Sequence, residues 1–155
     1  MKNFTTKEAF PLLTVSVESW SDTGELTLKI SQSVFQVKGS KIDLKLKPLL
    51  WQVPISIRTS GSTEENRSLL TSKSTTMSLT GIDKNTGWVH LNPDQKCYYL
   101  VRYSEDLMDL ISKNLWHNLS IIDRQTFIHS GYLSSSRKNQ AQDYDPKTYV
   151  EVRNL

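Results

Sequence analysis

Alternation of apolar and polar residues dominates the first two thirds of the chain. Leu13, Val15 and Val17 alternate with Thr14, Ser16 and Glu18, and Leu26, Leu28 and Ile30 alternate with Glu25, Thr27 and Lys29. A period of two places one set of side chains against a core and leaves the other in water, so Leu12–Glu18 and Glu25–Ser31 read as half-buried antiparallel strands. Ser21-Asp22-Thr23-Gly24 between them has the composition of a hairpin loop. The longest clean alternation is Trp51–Thr59, with Trp51, Val53, Ile55, Ile57 and Thr59 on one face. Pro54, on its other face, has no N–H to give a ladder, which predicts an edge or bulged strand. Arg67–Lys73 and Thr75–Thr80 are shorter strands, with Thr59–Asn66 a polar loop between two sheets and Gly81–Gly87 a turn-rich connection. Trp88–Leu91 and Tyr98–Tyr103 flank Asn92-Pro93-Asp94-Gln95, a turn by composition. Seven or eight strands at this spacing predict an antiparallel β-sandwich.

The period changes after Tyr103. Ser104 suits an N-cap, Glu105 and Asp106 follow where the helix dipole favours acids, and Leu107, Leu110, Ile111 and Leu115 make one helical stripe. Ser120–Tyr132 reads as a second helix with Ile121, Ile122, Phe127, Ile128 and Tyr132 as its apolar side chains. Ser134–Tyr144 is polar and predicts a mobile loop. Asp145-Pro146 opens a last helix that continues toward Leu155. The fold class is thus mainly β with an α appendage: residues 1–103 a sandwich, residues 104–155 the first two or three helices of an incomplete helical domain.

Composition changes this picture little. The 155 residues carry a formal charge of +3 with both signs spread along the chain, and 37% are hydrophobic, enough for one modest core. The longest basic run is Arg137-Lys138, which argues against nucleic acid as a partner. No apolar stretch approaches the length of a membrane span, and Met1–Thr6 lacks the apolar core of a signal peptide. Cys97 is the single cysteine, which points to a reducing, cytoplasmic compartment. The sequons at Asn3, Asn66 and Asn118 are of a kind that arises by chance in a chain rich in Ser and Thr, and we discount them.

Candidate chemistry is sparse. His90, His117 and His129 stand at no metal-ligand spacing, and there is neither an HExxH, a Gly-x-Ser-x-Gly elbow nor a phosphate-binding glycine loop. Asp123-Arg124 reads as a helix-surface or interhelical ion pair rather than an acid beside a clamp. Trp51, Trp88, Tyr98 and Tyr99 read as packing on strand faces rather than as a sugar-binding platform. Cys97 reads as a packed strand cysteine rather than a nucleophile. No catalytic, cofactor-binding or metal-binding residue is assigned.

Several stretches, taken in order, resemble a known family. Gly87-Trp88-Val89-His90-Leu91-Asn92 through Tyr99 to Tyr103 resembles the closing strands of the accessory β-sandwich in zinc aminopeptidases of the puromycin-sensitive type. Ala9-Phe10-Pro11-Leu12-Leu13 is similar to the first strand of that sandwich, Leu28–Phe35 to its "L-x-L-S-Q-x-x-F", and Trp51–Ser60 to "W-x-V-P-I-x-I-x-T-S". Ile122-Asp123-Arg124 resembles the "V/I-D-R" near the start of the family's C-terminal helical domain. Cys97 stands where the family has Gly, Leu100 where it has Arg, and His129-Ser130 at a position often acidic or amide. The resemblance covers the chain from Ala9 onward. It implies a non-catalytic fragment of an enzyme that removes N-terminal amino acids from peptides. In that family zinc is held by HExxH and a downstream Glu, and the substrate N-terminus by a Gly-x-Met-x-Asn loop, all in the domain before the sandwich. The resemblance therefore implies no cofactor in this fragment and zinc in the parent's catalytic domain. The sandwich would be a spacer, with the catalytic domain and the rest of the helical domain as partners and self-association through uncovered apolar helix faces. The alternative is a free-standing β-sandwich module binding carbohydrate or protein.

Overall fold

A computed structural model describes residues 11–35 and 50–135. The expected helix after Asp145 and most of the expected loop Ser134–Tyr144 lie outside the described residues. The described residues form seven strands in two sheets. Sheet A runs β5-β2-β1-β7, from β1 (Pro11–Trp20), β2 (Leu26–Val34), β5 (Ser74–Leu79) and β7 (Leu100–Tyr103). Sheet B runs β4-β3-β6, from β3 (Val53–Thr59), β4 (Ser62–Leu70) and β6 (Val89–Leu91). Helices α1 (Glu105–Asn118) and α2 (Ile121–Ser135) follow. The architecture is a β-sandwich with a helical appendage.

The inward faces are those the period predicts. Val15, Leu26, Leu28, Ile30, Trp51, Val53, Ile55, Ile57, Val89 and Leu91 are all buried in one cluster. Leu107, Ile111, Leu119 and Phe127 join that same cluster, so the helices lean on the sandwich, α1 against β1 and β6 and α2 against β7. The Phe127 and Tyr103 rings tilt together at 6.4 Å. Ile121 and Ile122 stay exposed (83% and 50%), while the side chains of Leu115 and Tyr132 fall outside those described.

Four expectations are corrected. Thr59–Asn66 is not a loop between sheets: Thr59 pairs with Ser62 across a tight hairpin and Asn66 pairs with Ile57, so β4 begins at Ser62, five residues before the expected Arg67. Its run of polar residues hid it, because β4 is a sheet edge whose side chains mostly face water. The sandwich is not wholly antiparallel, since β7 lies parallel to β1 in the register Leu12↔Leu100 to Val15↔Tyr103. β3 is the middle strand of its sheet rather than an edge, although its pairing with β4 does shift register between Ile57 and Thr59, and Pro54 is accommodated. Ser56 C=O accepts from Asn92 N–H (2.9 Å), so even-numbered backbone groups of β3 point toward β6, and β6 pairs only from Ile57 onward. Pro54 therefore meets no ladder on the side where its donor is missing. Ser104 holds the N-cap position, but its hydroxyl makes no capping bond; its N–H instead donates to Val15 C=O (2.8 Å).

One motif residue ties the layers together. Gln32 on β2 is buried, and its carboxamide accepts from Trp51 N–H (2.9 Å) while donating to Trp51 C=O (3.0 Å) and Ser72 C=O (2.7 Å). The loop after β5 is anchored through Trp20, whose indole N–H donates to Ile82 C=O (3.0 Å).

Candidate functional site: the junction of sheet B and the second helix

Ser56 and Arg58 lie on the pleat of β3 opposite the core-facing Ile55 and Ile57, and His90 is the register partner of Arg58 on β6. The pairing of β3 with β4 shifts register between Ile57 and Thr59, the stretch that carries Arg58. Here the Arg58 guanidinium gathers three carboxylates: Glu65 at 3.4 Å, Asp94 at 3.1 Å and Asp123 at 3.4 Å. Lys96 Nζ bridges Glu65 (2.7 Å) and Asp94 (3.3 Å), Arg67 reaches Glu65 (3.3 Å), and the Ser56 hydroxyl donates to Glu65 (3.0 Å). Three cations face three carboxylates, so the cluster is electrically balanced and its acids are already occupied.

Asp123 is the hub. Its carboxylate is fully buried, within 3.1 Å of His90 Nε2, and accepts the Asp94 N–H (2.8 Å). Ser120 caps the first turn of α2 by accepting the Asp123 N–H at its hydroxyl (3.1 Å). Burial pushes the Asp123 carboxyl up, but the His90 imidazole and the Asp94 N–H outweigh it and hold it at about 2. Glu65 is likewise held at about 2, chiefly by the Lys96 ammonium and the Ser56 hydroxyl. The expected Asp123–Arg124 surface pair is thus corrected: Asp123 turns inward and finds its partners in the sandwich, 33 and 65 residues earlier in the chain.

The other expected candidates fall apart in space. Trp51, Trp88 and Tyr99 are buried, and Tyr98 alone is exposed (70%). Tyr98 borders a groove of about 450 Å³ between the Asn92–Leu100 segment and the Gln125, Thr126 and His129 face of α2. Cys97 precedes β7 rather than lying in a strand; it is half-buried, and desolvation followed by the nearby Glu65 charge raises its thiol. His90 lies in the charged cluster and His129 on the groove, and the His117 side chain falls outside those described. Among the described residues, no three or more His, Cys, Asp or Glu side chains converge as a metal would need. No helix among them is long and apolar enough to cross a membrane. What the cluster can do is weld: it joins sheet B, the turn after β6 and α2 by charged hydrogen bonds partly shielded from water.

No family model matches the chain. It is similar to Endoplasmic reticulum aminopeptidase 2 of Homo sapiens, at 29% identity over 136 residues, covering 83% of this chain and 13% of that protein. It is also similar to Endoplasmic reticulum aminopeptidase 2 of Bos taurus, at 28% identity over 162 residues, covering 97% of this chain and 16% of that protein. The chain therefore spans about a sixth or less of the relatives it matches, and the similarity is a distant one to an aminopeptidase.

Proposed function

We propose that this chain is the non-catalytic accessory sandwich, with the first helices of the following domain, of a zinc metallo-aminopeptidase of the puromycin-sensitive type. The parent would remove N-terminal amino acids from peptides, and the chain would serve as the spacer that fixes its helical domain to its catalytic domain. Residues 1–103 would form the spacer and residues 104–155 the start of the helical domain. The observation that carries this reading is the coincidence of the distant aminopeptidase similarity with a partly buried charged weld that spends its ionisable groups on holding a helix to a sheet. Such a weld suits a part that transmits position rather than one that performs chemistry. Exposed Ile121 and Ile122 are where the rest of the helical domain would pack, or where a second copy would associate in its absence.

A cytoplasmic setting belongs to the same reading and rests on the lone cysteine, Cys97. A mass loss on glycosidase treatment of the chain recovered from its own host would move it to the secretory route. The free-standing carbohydrate module is disfavoured by the burial of three of the four aromatics it would use. The test of function is to express the complete coding sequence and the 155-residue chain side by side and assay both for release of N-terminal amino acids from peptides. We expect chelator-sensitive activity in the former and none in the latter. Activity in the short chain, or none in the complete product, would overturn the assignment.

A further inference from the structure

The turn that separates β6 from β7 is backbone of an unfavourable kind. Asn92, Asp94 and Gln95 all have positive φ (57°, 59° and 54°), and none is glycine. Asn and Asp tolerate the left-handed region better than most residues; Gln has no such excuse. Such geometry persists only where surrounding contacts over-determine it.

Those contacts divide into two sets. The ends of the turn are fixed by the sandwich. Asn92 N–H donates to Ser56 C=O (2.9 Å), and the Asn92 carboxamide brackets Cys97, accepting its N–H (2.8 Å) and donating to its C=O (2.7 Å). The middle is bonded to α2: Asp94 N–H to the Asp123 carboxylate (2.8 Å) and the Gln95 side-chain amide to the Thr126 hydroxyl. Arg58 and Lys96 hold the Asp94 side chain (3.1 Å and 3.3 Å), but a side-chain ion pair does not choose a backbone φ. Gln95 N–H also closes the turn on Asn92 C=O (3.0 Å), so the left-handed middle is held jointly by this local bond and by the helix, between ends clamped to the sandwich.

We propose that Asn92–Lys96 is a conformational catch: α2, seated through Asp123, holds the turn left-handed, and when α2 shifts, Asp94 and Gln95 relax to negative φ. The groove beside it reports the state, because Gln95, Cys97 and Tyr98 form one wall and Gln125, Thr126 and His129 the other. Seating of the helix and the shape of the groove are then one two-state event. This stands on the turn's geometry and is independent of the aminopeptidase assignment.

The test is amide hydrogen exchange and backbone chemical shifts of the full chain, wild type against Asp123→Asn. The variant keeps an acceptor atom but loses the charge that strengthens the Asp94 bond. We expect exchange at Asp94 to rise by about tenfold or more, as loss of a charge-assisted bond implies. The shifts of Asp94 and Gln95 should move away from left-handed values, with the amides of Ile30 and Ile55 unchanged. Left-handed shifts and wild-type exchange in a folded variant would show that the sandwich alone sets the turn and would overturn the proposal. If the variant does not fold, wild type decides. The catch requires Asp94 and Arg124, whose N–H donates to Ser120 C=O, to open together with the same denaturant dependence, short of global unfolding. Independent opening of the two would overturn it equally.

Discussion

Replacing Gln32 by alanine tests whether the sandwich is stapled by a polar side chain inside its core. The carboxamide uses both donors and its acceptor, binding Trp51 N–H and C=O and Ser72 C=O at 2.7–3.0 Å. Trp51 is 1% exposed, so its backbone groups cannot turn to water when the carboxamide goes. Ser72 is exposed and can. Depriving a buried donor or acceptor of its partner costs about 1–3 kcal/mol, and a water-accessible one far less. Two buried losses and one exposed loss therefore sum to about 3 kcal/mol, a large share of the roughly 5–15 kcal/mol that holds a domain together. Urea unfolding followed by tryptophan fluorescence measures this directly, with Gln32→Glu as control. The glutamate keeps the acceptor but sets a carboxylate against two carbonyl oxygens, so it should be at least as damaging at neutral pH. It should recover partly on acidification, as the carboxyl regains one donor. A loss below about 1 kcal/mol for Gln32→Ala would mean that the three bonds are worth no more than their hydrated counterparts, and the staple would have to be abandoned.

Other consequences are simpler to state. Trp51→Ala empties the centre of the inter-sheet core and should cost about 3–5 kcal/mol in the same urea experiment; under about 1 kcal/mol would contradict its burial. Gly61→Ala should destabilise by about 1–3 kcal/mol, because a Cβ there would lie 2.2 Å from the Gly81 carbonyl oxygen, backbone against backbone; a neutral thermal shift would show that the β3–β4 hairpin tip and the loop after β5 do not meet. Acid should loosen the helix before the core. Asp123 and Glu65 are held at about 2 against ordinary values of 3.8 and 4.5. A depressed carboxylate contributes stability that is present above its ordinary value and lost as pH falls toward its folded one. Circular dichroism and exchange between pH 5 and 2 should therefore show α2 amides losing protection ahead of β2 and β3, and simultaneous loss would refute the weld.

Strands with one wet face announce themselves, and β1, β2 and β3 were legible for that reason: their apolar residues recur every second position and all face the core. β4 was not, because an edge strand with charged and hydroxyl side chains carries no apolar period. Ser62-Thr63-Glu64-Glu65-Asn66 looks like a loop until β3 supplies the ladder. The parallel pairing of β7 with β1 was equally hidden, since register between strands 88 residues apart leaves no local trace. The helices were placed by capping chemistry and stripe, but the stripe alone does not tell which apolar residues find a partner. Phe127 did and Ile121 did not.

The site was the least legible part, and the reason is physical. A charge beside an opposite charge in sequence suggests a pair, and Asp123-Arg124 offered one. The energy, however, lies in what a carboxylate meets after the chain has folded, and Asp123 meets Arg58, His90 and the Asp94 N–H, none of them within 25 residues. A signal did exist in the resemblance, read differently. Gln32, Asn92 and Asp123 all stand in stretches that resemble the aminopeptidase family, and all three are buried polar residues whose side chains bind backbone atoms well away in the chain or across a turn. A polar residue embedded in an apolar period costs stability unless the fold supplies its partners. Such a residue in a strand or helix motif thus marks a joint between elements. Taken that way, the three positions outline the frame: Gln32 joins the two sheets, Asn92 closes the turn between β6 and β7, and Asp123 fastens the helix to sheet B and that turn.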